Sequence, residues 1–278
     1  AVACGIPPVE AVKMASYNAA RAYGLKNIGA IAPGYKADMV LFEDLKDFRV
    51  KQVFTRFGKP YAPEAEYRMP LLPGAVFDSV RIAPVDEGSL CLPARERMPV
   101  IKMVPEQLIT ELVWRSVKSE HGAFTPSDGL CKLAVVERHH ATGSIGLGIV
   151  EGLNIQNGAI ASTVAHDSHN LVVAGDNDRD MLMAIEALRE CGGGYCVVSR
   201  GIVLARLPLP IAGLMTDAPV EDVLARQQAL LEAAKSLGAD ERTDPLIALS
   251  FLALPVIPAV RLTDEGLFDV TKMEFIRF

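Results

Sequence analysis

Residues 158–177 read GAIASTVAHDSHNLVVAGDN. The run 159–165 is small, apolar and alternating, which suits a strand, and 171–174 is a second strand, short and wholly apolar. Between them lies a polar turn carrying two histidines. Asn177 then caps a helix whose first turn holds Asp178 and Asp180, where the positive end of the peptide dipoles favours acids. Met181, Ile185 and Leu188 share one face of that helix, and Gly192 ends it. Strand, polar turn, strand and helix in succession predict a layered α/β (α+β) domain.

The flanking sequence extends the pattern. Strands are expected at 100–104, 111–117, 132–137, 195–199 and 202–207, with a turn at Gly201. A last long helix is expected over 219–237, with Asp217 as its cap, Val220, Leu224, Leu231 and Ala234 along one side, and Gly238 as its stop. Many strands with two long helices imply a mixed β-sheet with flanking helices over 95–278. The segment 141–148, ATGSIGLG, reads as a flexible loop.

The N-terminal part differs. Residues 7–23 predict a helix, with prolines in its first turn, an apolar stripe through Val9, Val12, Ala15, Ala19 and Tyr23, and a left-handed stop at Gly24. A turn-rich segment with Pro33–Gly34 leads to a buried strand at 39–42. A second strand is expected at 52–57, with a hairpin return at Gly58–Lys59. Prolines at 63, 70, 73, 84 and 93 mark a connector that holds one strand, 76–82. The division expected is 1–24, 25–94 and 95–278.

A chain of 278 residues carries about two domains' worth of sequence. Its net charge of −6 gives no basic footprint for nucleic acid or anionic lipid. Five scattered cysteines without a CxxC pair favour neither a disulfide framework nor a cysteine-rich zinc site, and fit a reducing cytoplasm. The most apolar stretch, PLIALSFLALPVIPAV at 245–260, is short and interrupted by proline, so no membrane span is expected. No leader pattern is visible, and the chain opens at Ala1 without methionine, which predicts a piece of something longer.

Four of the five histidines fall in two strand-end segments: His139 and His140 in ERHH, and His166 and His169 in STVAHDSHN. If the strands are neighbours, these segments meet. His166 and His169 could face one cavity, with Asp167 orienting either ring by accepting its other N–H. The polar residues Asp167, Ser168 and Asn170 could equally serve only the backbone of the turn. Adjacent residues point to opposite faces of a strand, so His139 and His140 cannot serve one metal unless the strand has already ended. No HxH, HExxH or phosphate-binding GxxxxGK[ST] pattern occurs.

Longer strings carry a resemblance. VVERHHATGSIGLGIV, GAIASTVAHDSHNLVVAGDN, GGGYCVV, LPLPIAGLMTD and LSFLALPVIPAVRLTDEGLFDV together resemble the C-terminal region of the adenine deaminase family. PPVEAVKMASYNAARAYGL with IGAIAPGYKADMVLF resembles the closing segment of amidohydrolases. There the last barrel helix leads into a small β domain through Gly29, Ile31, Pro33, Gly34, Ala37, Asp38 and Val40. The resemblance implies that 1–24 is a barrel remnant, 25–94 a small β-domain segment with its connector, and 95–278 the C-terminal domain.

It further implies a parent hydrolase that takes adenine to hypoxanthine and ammonia with one or two barrel-bound divalent ions, manganese or iron. The metal ligands of such enzymes lie on barrel strands, so the expectation is that this piece binds none and is inactive alone. His139, His140, His166, Asp167, His169 and Asn170 are then candidates for lining the purine pocket. A rival reading makes the domain a non-catalytic packing or oligomerisation module, which leaves a homo-oligomer open. A third gives it a metal of its own on the four histidines.

Overall fold

The computed structural model describes residues 1–55, 58–61, 71–240 and 243–278. The chain divides into two units, Ala1–Leu71 and Leu72–Phe278.

In the first unit, helix α1 (Pro8–Lys13) continues through a wider π turn (Met14–Asn18) into α2 (Ala19–Ala22). Proline is harmless at the start because its missing N–H would have had no partner there. The predicted apolar stripe is left open, with Val9 60% and Tyr23 83% exposed. Strands β1 (Met39–Phe42), β2 (Val50–Thr55) and β3 (Lys59–Pro60) form a small antiparallel sheet. The expectation that 39–42 is buried is corrected, since Val40 and Leu41 are exposed; three short strands offer too little area to cover both faces. Gly29 has a left-handed backbone, and a Cβ there would lie 2.9 Å from the Ser16 carbonyl oxygen, so glycine is required at this point of the motif. Arg56 and Phe57, from the strand expected at 52–57, and the prolines at 63 and 70 lie outside the described residues.

The strand expected at 76–82 does not form. Gly74–Val76 is a 3₁₀ turn, and the backbone beyond it bonds to a loop: Arg81 N–H donates to the Arg138 carbonyl at 2.7 Å, and Ala141 N–H to the Arg81 carbonyl at 3.1 Å. Both backbone groups of Arg81 are thus paired without a ladder.

The second unit is built on a mixed sheet of eight described strands. Its members are β4 (Arg97–Met103), β5 (Thr110–Ser116), β8 (Leu130–Val136), β9 (Ile145–Glu151), β10 (Gly158–Ser162), β11 (Leu171–Gly175), β12 (Gly194–Ser199) and β13 (Ile202–Pro208). A two-residue pair, β6 (Ser119–Glu120) and β7 (Ala123–Phe124), stands apart from it. The sheet order is β13-β12-β10-β11-β8-β9-β4-β5, antiparallel between all neighbours except the parallel pair β4 and β9.

Helix α3 (Asp178–Glu190) covers one face, where Met181, Ile185 and Leu188 pack on Val136, Ala161 and Val173. Asn177 caps it as predicted, accepting the Asp180 N–H at 2.8 Å. Helices α4 (Val220–Ser236) and α5 (Pro245–Phe251) cover the other face, together with the hairpin β14 (Val260–Thr263) and β15 (Gly266–Asp269), which β16 (Glu274–Phe275) extends. With both faces buried, the central strands read as nearly continuous apolar runs, and every residue of β8, β10 and β11 is buried, including Lys132, whose ammonium donates to the Leu90 carbonyl and pairs with Asp178.

Three details correct the sequence reading. Strand β10 ends at Ser162, so His166 stands four residues beyond it. Pro219, with no side-chain bond, occupies the cap position of α4 expected for Asp217; the first turns of that helix face outward at Val220 and Leu224, while Leu230 and Ala234 are buried. Residues 145–148 belong to strand β9, where the reading gave a flexible loop. The glycines serve packing here: a Cβ on Gly146 would lie 1.8 Å from the Thr263 carbonyl oxygen, so only a bare backbone lets the β14–β15 hairpin lie on the strand.

Candidate functional site

Strands β8 and β10 flank β11, and each is antiparallel to it. Their C-terminal ends therefore emerge at the same end of the sheet, and so do the connections 137–144 and 163–170. The expected meeting of the two histidine segments occurs. Nε2 of His139 stands 2.8 Å from the Ser168 carbonyl oxygen. A carbonyl only accepts, so this nitrogen carries a proton and donates it.

Glu137 organises the first connection. Its Oε1 accepts the N–H groups of His139 (2.5 Å) and His140 (2.8 Å), and its Oε2 accepts the N–H and hydroxyl of Thr142 (3.0 and 3.1 Å). Burial pushes this carboxyl up, but the bonds from Thr142, His139 and His140 outweigh it and hold the pKa at about 2. The strand has ended before His139, so the alternation argument against pairing His139 with His140 no longer applies. Their rings are 6.4 Å apart, with His139 half-buried and His140 exposed.

Arg138 binds the second connection to the first. Its buried guanidinium donates from Nε to the His169 carbonyl, from Nη1 to the Ser79 carbonyl at 3.4 Å, and from Nη2 to the Ala212 carbonyl at 3.2 Å. Three loops are thereby fastened by one side chain. Burial lowers its pKa to about 10, partly offset by Glu137, so it stays charged at neutral pH. The planar fork explains why arginine rather than lysine stands here.

His166 and His169 lie with ring centroids 6.1 Å apart, and His166 packs on Phe251 of α5 at 4.8 Å. The His166 N–H donates to the Ser250 carbonyl at 3.1 Å, which ties the turn to α5. His169 is held below its ordinary pKa by burial first, then by the charges of Arg138 and His166. It is therefore a neutral ring at neutral pH. Its Nδ1 is buried without a partner, so the carboxylate of the exposed Asp167 does not orient it as expected. Buried Asn170 donates to Asp264 at 3.0 Å, while its Oδ1 is also unpartnered. Two buried polar atoms of this turn, His169 Nδ1 and the acceptor Asn170 Oδ1, are thus without a hydrogen-bond partner.

Sequence reasoning found the histidines and missed what holds them. Glu137 and Arg138 stood inside ERHH, and the signal was the pair of charges at the end of a strand that is apolar apart from Lys132. As to a metal, among the described residues no group of three or more His, Cys, Asp or Glu side chains is placed to hold an ion. The four histidines do not form the ligand set that the third reading requires. The same residues do not fit the divalent ion of an amidohydrolase.

The family model described as the adenine deaminase C-terminal domain matches residues 107–274, and that of the amidohydrolase family matches residues 1–60. The adenine deaminase of Nitratidesulfovibrio vulgaris strain Hildenborough is 48% identical over 281 residues, covering 99% of this chain and 49% of that protein. The adenine deaminase of Geobacillus kaustophilus is 45% identical over 286 residues, and adenine deaminase 2 of Carboxydothermus hydrogenoformans 44% over 285, each with the same coverage. The chain thus spans about half the length of the curated relatives it matches.

Proposed function

The chain belongs to the adenine deaminase C-terminal domain family, and on that premise we propose that it is the C-terminal portion of an adenine deaminase. The parent would hydrolyse adenine to hypoxanthine and ammonia, in purine salvage or adenine catabolism. The observation that carries this reading is the 48% identity to a named adenine deaminase across 99% of the chain. A divalent ion goes with the amidohydrolase match of residues 1–60; in this reading it is manganese or iron. Its ligands would belong to a barrel other than the residues described here, so no step through the metal is derived from them.

In this reading His166, His169 and Asn170, with His139, His140 and Asp167 on the same rim, help line the purine pocket. Support comes from the unpartnered His169 Nδ1 and Asn170 Oδ1, the second an acceptor that matches an N–H donor on a purine edge. Five free cysteines and a net charge of −6 suit a cytoplasmic location without nucleic acid or membrane partners. No helix among the described residues is long and apolar enough to cross a membrane. The test is ammonia release by the full-length protein loaded with manganese. Turnover of adenine in preference to guanine and cytosine is expected, and no turnover of adenine would overturn the reading.

One observation favours the second reading, a packing or assembly module. The helix at Pro8–Lys13 exposes Val9 and Val12, and Val220 and Leu224 of α4 are exposed as well. In that case deletion of residues 95–278 from the full-length protein would alter assembly or stability and leave the kcat of the remaining enzyme unchanged.

A further inference from the structure

Arg261 lies on β14 with no exposed surface, in an otherwise apolar run. Its Nη2 donates to the Leu108 carbonyl at 2.6 Å and to the Pro258 carbonyl at 3.3 Å. Its Nε and Nη1 are buried and have no partner. Among the described residues no carboxylate forms an ion pair with it. Burial lowers its pKa to about 10 with no acidic neighbour to oppose the shift. A guanidinium buried without a counter-charge costs several kcal/mol, so this is an unfinished arrangement.

The same side chain stands in the wall of a cavity of about 210 Å³ between α5, β14 and the β4–β5 turn. Leu108, whose carbonyl holds the guanidinium tip, is also in that wall, so the charged end lies next to the cavity and just beneath its surface. The rest of the wall is mainly apolar, with Ile109, Ile247, Phe251 and Leu252, and it also holds two acids, Glu106 and Asp244, the second engaged with the Leu246 and Ile247 N–H groups at the start of α5. The space equals the liquid volume of about seven waters. Water alone would leave most of these carbons wetted and the charge uncompensated.

We propose that this cavity binds a small monocarboxylate with an apolar tail, its carboxylate meeting the free N–H groups of Arg261 and its tail lying against α5. A carboxylate is the anion that a planar guanidinium matches best, and the apolar wall selects against inorganic phosphate. The free N–H groups have no exposed surface, so the proposal requires the covering side chains to move aside on ligand entry. Because arginine keeps its charge with a pKa of about 10, binding is unchanged across neutral pH.

The probes are valerate, its uncharged counterpart pentan-1-ol, and inorganic phosphate, titrated calorimetrically into the full-length protein. Saturable valerate binding at least about tenfold tighter than pentan-1-ol is expected, as for one charge-assisted pair. Arg261→Met should abolish the preference. Ile247→Trp, at a half-exposed position that leaves Arg261 in place, should abolish binding of both organic probes with the fold intact, which keeps the test decisive if Arg261→Met fails to fold. No saturable valerate binding, equal affinity for the alcohol, tighter phosphate binding, or valerate binding that survives Ile247→Trp would overturn the proposal.

Discussion

The imidazole of His139 stands 2.8 Å from the carbonyl oxygen of Ser168, twenty-nine residues away in sequence. With the Arg138 bond to the His169 carbonyl, this bond joins the connection after β8 to the connection after β10, and it requires a proton on Nε2 of His139. A neutral hydrogen bond of this kind contributes about 1 kcal/mol, and leaving the Ser168 carbonyl partly accessible to water limits the loss. His139→Ala should therefore lower stability by about 1 kcal/mol in urea unfolding without changing the m-value. A loss near zero would mean that the two connections are held together by Arg138 alone.

Glu137 gives a pH prediction with a definite sign. Its folded pKa is about 2, below the ordinary 4.5, so the carboxylate stabilises the fold fully above about pH 4.5 and loses that contribution as pH falls toward 2. The contribution is on the order of 2 kcal/mol. Glu137→Gln should remove most of it at neutral pH and flatten the acid limb of the stability curve in that window. An unchanged acid limb in the variant would show that other carboxylates govern it.

Arg138 and Gly213 test the clamp from opposite sides. Gly213 has a φ of +70°, and a Cβ there would lie 2.8 Å from Nη1 of Arg138. Gly213→Ala should cost about 1–3 kcal/mol through backbone strain and displacement of the guanidinium. Arg138→Met strands buried carbonyls of three loops and should cost about 3 kcal/mol or more. Arg138→Lys should rescue only part, since a point charge cannot serve three separated acceptors. Thermal or urea unfolding checks all three, and full rescue by lysine would contradict the clamp.

The sheet and α3 were legible because their signals are local. Asn177 caps, Met181, Ile185 and Leu188 share a face, and β8, β10 and β11 are apolar apart from Lys132 and Ser162. The resemblance to adenine deaminases was carried by long strings and is matched by the family. What failed depended on tertiary partners. Gly146 and Gly148 looked like loop residues, yet they lie in a central strand because another hairpin presses on them. Residues 76–82 are apolar enough for a strand, but their hydrogen bonds go to Arg138 and Ala141, which periodicity cannot reveal. The helix α5 was read only as an apolar stretch, although Asp244 caps it at 2.9 and 3.0 Å and Pro245 opens it. The histidines were visible as residues, while Glu137 and Arg138 act through backbone groups that composition does not show.

The central claim is that His166 and His169 shape the pocket for adenine from the C-terminal domain. Its direct test is steady-state kinetics of the full-length protein carrying His166→Ala and His169→Ala, with metal content measured on the same sample. The account predicts a KM for adenine raised by about tenfold or more, in keeping with the loss of one or two ligand hydrogen bonds, at unchanged metal content. Wild-type values of both kcat and KM in the double variant would contradict it.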